Sequence, residues 1–182
     1  MQDYIQFASK NGITLKDYGH CPFCGAETQR GIHECMEIFA FDFPHIDFSD
    51  PENHRYKFLI VDAHALQHPE IHGQWSNHFH LTRLHLMFVY KVGWTYALSP
   101  KLSDSLNRLK KHLPQALSAP PMGQRGHITT RTIIQSAREP QNCKHRIEVW
   151  GQEVYRVWKA HHGLAETIAQ AFLNRKKGKN EE

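Results

Sequence analysis

Over residues 147–173 apolar side chains return at steps of three and four, with Trp150, Val154, Val157, His161, Leu164, Ile168 and Phe172 on one stripe. Such a repeat commits this end of the chain to a long helix with one buried face. A helix of that kind has to be covered by others, and the sequence offers them. Residues 77–94 place Leu81, Leu84 and Phe88 at helical spacing, with His80 and Met87 beside them. RYKFLIVDAHALQ reads best as a helix that stops before Pro69, because proline removes a donor and disfavours helical geometry in the residue before it. Residues 104–113 carry Leu106, Leu109 and Leu113 on one side and Arg108, Lys110 and Lys111 on the other. Thr129 or Thr130 is placed to cap a short helix through Ala137, and Asn11-Gly12 ends another that holds Tyr4, Ile5 and Ala8. ECMEIFAFDF fits a strand, with Phe39, Phe41 and Phe43 alternating, as well as it fits a short helix. The expected architecture is a mainly α, helical bundle-like single domain over residues 1–173, followed by a flexible charged tail at 174–182.

A chain of 182 residues can bury one such core without disulfides. No run approaches the roughly 18 apolar residues of a membrane span, and the first residues lack the pattern of a secretory signal, so a cytoplasmic location is expected. Cys21, Cys24, Cys35 and Cys143 are then reduced thiols. The net charge of +4 lies partly in the closing NRKKGKNEE and is too small to argue for nucleic acid. RLKKH at 108–112 has no interleaved aromatic residues, which leaves that partner unexpected. The chain contains no H-E-x-x-H, G-x-S-x-G, P-loop or glycine-rich dinucleotide loop.

Two groups of residues carry chemistry. In CPFCG, Cys21 and Cys24 fall on one side of a tight turn, and Gly25 admits a positive φ that lets backbone N–H groups face the sulfurs. A thiol redox pair is the competing reading, but no clear strand precedes the motif and no clear helix follows it. With Cys35 as third ligand, a zinc knuckle over residues 20–35 is expected, packed at the N-terminal end of the domain. Its fourth ligand is open among His20, His33, Cys143 and a more distant histidine.

The second group is VDAHALQHPEIHGQWSNHFHLTRLH, which holds six of the fifteen histidines in residues 61–85. His64 and His68 stand four apart and share a helical face, as paired ligands do, whereas Asp62 points away unless the helix ends near Pro69. His80 lies on an apolar face, and at least one of His161 and His162 points inward. His72, His78 and His85 are expected mostly at the surface or in hydrogen bonds. Meeting in a bundle, Asp62, His68, His80 and one of the last pair make a histidine–carboxylate site suited to zinc or another divalent transition metal. An open position there would acidify bound water for hydrolysis or group transfer. The plainer alternative for each is a core histidine bonded to a backbone carbonyl. Trp75, Trp94, Trp150 and Trp158 are expected in the core.

CPFCG, Cys35, VDAHALQHP, RGHIT at 125–129 and the late WGQEVYRVWKAHH together resemble the uncharacterised bacterial family DUF5946, from about Cys21 to about His162. The resemblance draws attention to Asp62, Gln67, His68, His80 and His162. It implies a tyrosine as the usual residue at position 64, which weakens His64 as a ligand, and it carries no activity or partner. The expected function is zinc binding at the junction of knuckle and helical core, with Cys21, Cys24, Cys35, His68, His80 and His162 as candidate ligands. Two alternatives stand beside it: a metal-dependent hydrolase or group transferase in which Asp62 and His68 are catalytic, and a zinc-stabilised module that binds protein or nucleic acid.

Overall fold

The computed structural model describes residues 3–40, 43, 46–136 and 140–177. Phe41, Ala137 and the last five residues of the expected tail lie outside that set. The described residues form the helices α1 (Asp3–Lys10), α2 (Gly31–Ala40), α3 (His54–Gln67), α4 (Gln74–Phe88), α5 (Leu98–Leu109), α6 (Thr130–Ser136), α7 (Pro140–Val157) and α8 (His162–Lys177). No strand occurs among the described residues, so ECMEIFA resolves into helix α2.

α3 lies against both α4 and α7, α4 also packs on α8, and α5 closes the side against α8. Burial explains this order. α3 buries Phe58, Leu59, Ile60 and then Asp62 through Gln67, and α4 buries Leu81 through Met87 without interruption. Helices buried on nearly every side belong at the centre of a bundle. α7 instead buries Ile147, Trp150 and Val154 at steps of three and four, as an outer helix does. Trp94, Trp150 and Trp158 are core residues as expected, while Trp75 is only partly buried.

Two helix ends differ from the sequence reading. The C-terminal stripe is two helices, broken by a 3-10 turn at Lys159–His161. Trp158 leaves helical geometry at φ −87°, ψ 17°, and its indole Nε1 donates to the Leu66 carbonyl at 3.1 Å. The His162 ring donates through Nε2 to the Tyr155 carbonyl at 2.8 Å, satisfying an acceptor near the break. The apolar spacing continues across the turn because both helices face the same core. α4 stops at Phe88 rather than Trp94: Lys91 takes the left-handed position at φ 54°, and Val92 N–H reaches back to the Leu86 carbonyl at 3.1 Å. Glycine is usual at that position, so lysine hid the stop. Thr129 caps α6 reciprocally, its N–H donating to Thr132 Oγ1 at 2.8 Å.

The knuckle forms a second, smaller core. Ala8 of α1, Phe23, Ala26, Ile32 and Ile71 surround Cys21, Cys24 and Cys35. Gly31 opens α2 at φ 54°, where an added Cβ would lie 2.2 Å from the Lys16 carbonyl oxygen, so only glycine lets these segments touch.

Candidate metal centre

Cys21 and Cys24 are held by a turn closed at both ends. Gly25 N–H donates to the Cys21 carbonyl at 2.9 Å, and Cys21 N–H to Ala26 at 3.0 Å. Gly25 takes φ 76°, the left-handed conformation that the motif anticipates. Cys35 arrives from the second turn of α2, and His68 from the residue that ends α3 just before Pro69. One donor atom from each of the four lies within 4.8 Å of every other. His68 Nε2 is 3.4 Å from Cys21 Sγ and 3.5 Å from Cys35 Sγ, and Cys24 and Cys35 sulfurs are 3.7 Å apart. Relative exposures of 1%, 5%, 2% and 0% for Cys21, Cys24, Cys35 and His68 leave no face of the cluster open to solvent. Four soft or borderline donors buried together are compatible with a metal ion.

The imidazole is oriented for the task. His68 Nδ1 donates to the His64 carbonyl at 2.7 Å, so the lone pair of the neutral ring sits on Nε2, facing the sulfurs. His64 stacks on His68 with centroids 4.1 Å apart and on Phe39 at 3.8 Å, a flat aromatic role that a tyrosine would also fill. Its own Nε2 is buried without a hydrogen-bond partner, and burial pushes the ring well below the usual histidine range. Hydrogen bonds from Cys24 and Cys35 push Cys21 far below the thiol range, whereas bonds to Cys21 and Cys24 and burial push Cys35 up. Burial works against charge on His68, yet the Cys24 and Cys21 sulfurs raise it to about 10.

The other expected ligands stand elsewhere. Asp62 is fully buried, its carboxylate accepting from Arg83 Nε at 2.8 Å and from His80 Nδ1 at 2.7 Å. A guanidinium on that carboxylate occupies its oxygens and repels a metal cation. Arg83 itself is capped by the Phe58 and Phe79 rings, with centroids 4.6 and 5.0 Å from its guanidinium carbon. His162 stacks face to face on Tyr155 at 3.9 Å. Beside it, His85 bonds Tyr155 OH through Nδ1 and Glu166 through Nε2, each at 2.7 Å, tying α4 to α7 and α8. His78 and His85 are buried and hydrogen-bonded, His78 through Nδ1 to the Gln74 carbonyl at 3.2 Å, the second of the two roles expected for them. Among the described residues the only cluster of histidine, cysteine and carboxylate donors is Cys21, Cys24, Cys35 and His68.

Residues 19–159 match the model of DUF5946, described as a family of unknown function. The chain belongs to the DUF5946 family. No curated protein and no solved structure matches it. The DUF5946 segments noted in the sequence have distinct structural roles. Gln67 donates to the carbonyls of Arg125 and Ile128 at 3.1 and 2.9 Å and accepts from Trp150 Nε1 at 3.2 Å. Arg125, 1% exposed, pairs with Glu70 and donates to the Gln67 carbonyl at 3.1 Å. RGHIT is thus a clip on the end of α3, next to His68. Sequence reasoning passed over Arg83, Glu166 and Ser76. Arg83 had one signal, a cation at helical spacing three residues after His80 on a face otherwise apolar.

Proposed function

We propose that this DUF5946 protein binds one zinc ion through Cys21, Cys24, Cys35 and His68, and that the ion fastens the N-terminal knuckle to the helical core. The geometry of the donors carries this reading. Tetrahedral Zn–S bonds of about 2.3 Å set sulfur–sulfur separations near 3.8 Å, and a Zn–N bond of about 2.1 Å sets nitrogen–sulfur separations near 3.6 Å. Three of the six donor pairs lie at 3.7, 3.4 and 3.5 Å, and all six lie within 4.8 Å. A complete set of four buried protein ligands leaves no position for substrate, which favours a structural over a catalytic ion. The ion would cancel the charge of the thiolates and hold four segments of chain together, so that binding energy becomes folding energy. The domain from residue 1 to 173 then folds as one unit around both cores.

Elemental mass spectrometry of the purified protein is expected to give one zinc per chain, lost in Cys24→Ser and in His68→Ala and retained in His80→Gln. A cobalt-substituted sample is expected to show the intense visible bands of tetrahedral thiolate coordination. Full zinc content in His68→Ala would overturn the assignment of the fourth ligand.

A further inference from the structure

Ser76 and His80 stand four residues apart on α4 and therefore on one face of it. Ser76 Oγ lies 3.1 Å from His80 Nε2, and the opposite ring nitrogen, Nδ1, lies 2.7 Å from Asp62 Oδ1. An ionised carboxylate can only accept, so Nδ1 carries the proton and Nε2 of the neutral ring accepts from the serine hydroxyl. Hydroxyl, imidazole and buried carboxylate in this order are the arrangement that turns a serine into a nucleophile. Arg83 fixes Asp62 from the other side, so the carboxylate cannot swing away from His80. The neighbouring His72 ring, 6.1 Å from that of His80, is pushed down to about 3 by burial and by His80 and His68. It therefore stays neutral when His80 takes up a proton.

Ser76 and His80 both line a cavity of about 480 Å³, within the usual range of small-molecule sites. Trp75, Phe79 and Leu106 give it apolar walls, and Asn107 and Lys110 of the α5 end add polar groups. The Lys110 ammonium is held 5.3 Å above the Trp75 ring, a fixed positive charge on the wall. No acidic side chain lines this cavity.

We propose that Ser76, His80 and Asp62 form a hydrolytic site for small carboxylic esters whose acyl part carries a carboxylate. Ser76 Oγ attacks the ester carbonyl carbon while its proton passes to His80 Nε2. The bond to the alcohol oxygen breaks, and that oxygen leaves with the proton from His80. Water then attacks the Ser76 ester, giving its proton to His80, and Ser76 Oγ leaves with it, so that ester and water become acid and alcohol. Asp62 positions the imidazole and balances its charge, and Lys110 holds the substrate's carboxylate. The site shares no residue with the zinc centre, so either proposal can fail alone.

The full chain is treated with diisopropyl fluorophosphate and mapped by peptide mass. One diisopropylphosphoryl group is expected on Ser76, formed as Oγ displaces fluoride. Hydrolysis of mono-p-nitrophenyl succinate, read as p-nitrophenolate release, is expected to fall about 100-fold or more in Ser76→Ala and His80→Gln, the usual size of nucleophile and general-base losses. Ser76→Ala is expected to melt as wild type and keep its zinc, which separates loss of chemistry from loss of fold. Lys110→Met is expected to lower the preference for the succinyl over the acetyl ester about fivefold, the size of one part-exposed ion pair. No adduct on Ser76, or wild-type hydrolysis by Ser76→Ala, would overturn the nucleophile. An unchanged ester preference in Lys110→Met would overturn the charge assignment.

Discussion

His68 and His80 are prepared in the same way and used differently. Each ring has Nδ1 fixed by an oxygen at 2.7 Å, the His64 carbonyl in one case and the Asp62 carboxylate in the other, and each presents Nε2 to a group beyond. Around His68 that group is three buried cysteine sulfurs. Around His80 it is a hydroxyl, and a guanidinium sits on the same carboxylate that orients the ring. The backbone carbonyl leaves His68 Nε2 facing the three sulfurs, where it would serve as a ligand to the proposed zinc ion. The carboxylate instead orients His80 with Nδ1 donating and Nε2 free to accept the serine proton. The polar group behind an imidazole, as much as the one in front, decides what the imidazole can do.

The sharpest way to break this comparison is to remove the thiols or the proposed zinc ion. Structural zinc contributes on the order of 10 kcal/mol of binding energy to folding in small sites. Cys24→Ser, or wild type with a strong chelator, should therefore lose most of its folded yield and its cooperative melt. Asp62→Asn tests the other region. It leaves the buried Arg83 without its counter-charge and should cost about 3–5 kcal/mol in urea unfolding, with zinc content unchanged. If zinc is lost together with stability in this variant, the two regions are not separate.

How far these regions could be read from sequence depends on how far apart their members lie. CPFCG is local, and its turn follows from Gly25; Cys35 lies within the same short span. The fourth ligand lies 33 residues beyond Cys35, and helical spacing alone paired His68 with His64. The structure keeps that spacing but uses His64 through its carbonyl and its ring face. His80 was legible as a polar group on an apolar face, whereas Asp62 was read as pointing away from the His64 and His68 face. Their mutual bond was not legible, because it depends on how α3 and α4 are rotated against each other. Arg83 was hidden because its burial rests on Phe58, Phe79 and Trp94, two of them from other parts of the chain. The helical class followed from apolar periodicity, but the break after Val157 did not, since the turn keeps that periodicity in phase.

Smaller effects sharpen the contrast. Gly31→Ala forces a Cβ toward the Lys16 carbonyl at a left-handed φ and should cost about 1–3 kcal/mol in thermal unfolding, confined to the knuckle side. The ester chemistry of Ser76 should be unchanged in that variant at temperatures where it stays folded. The smallest effect belongs to Glu166, held down at about 2 by hydrogen bonds from Tyr90, Gln170 and His85. A depressed carboxylate stabilises the fold above its ordinary value of 4.5 and loses that contribution as pH falls toward 2. The melting temperature of Glu166→Gln should thus converge on that of wild type across this interval. A constant gap between the two would remove Glu166 from the acid response.

The clip on α3 gives the loop after α5 a second use. Arg125 holds Gln67 and Glu70, on either side of His68, while Gly123 N–H reaches the Phe23 carbonyl inside the CPFCG turn at 3.4 Å. The loop is thereby latched to both halves of the metal centre. Releasing the proposed zinc ion would loosen both latches and bring the buried Arg125, next to the already exposed Gln124, within reach of proteases. A trypsin cut after Arg125 would then act as a gauge of metal occupancy, readable on a gel without any spectroscopic probe.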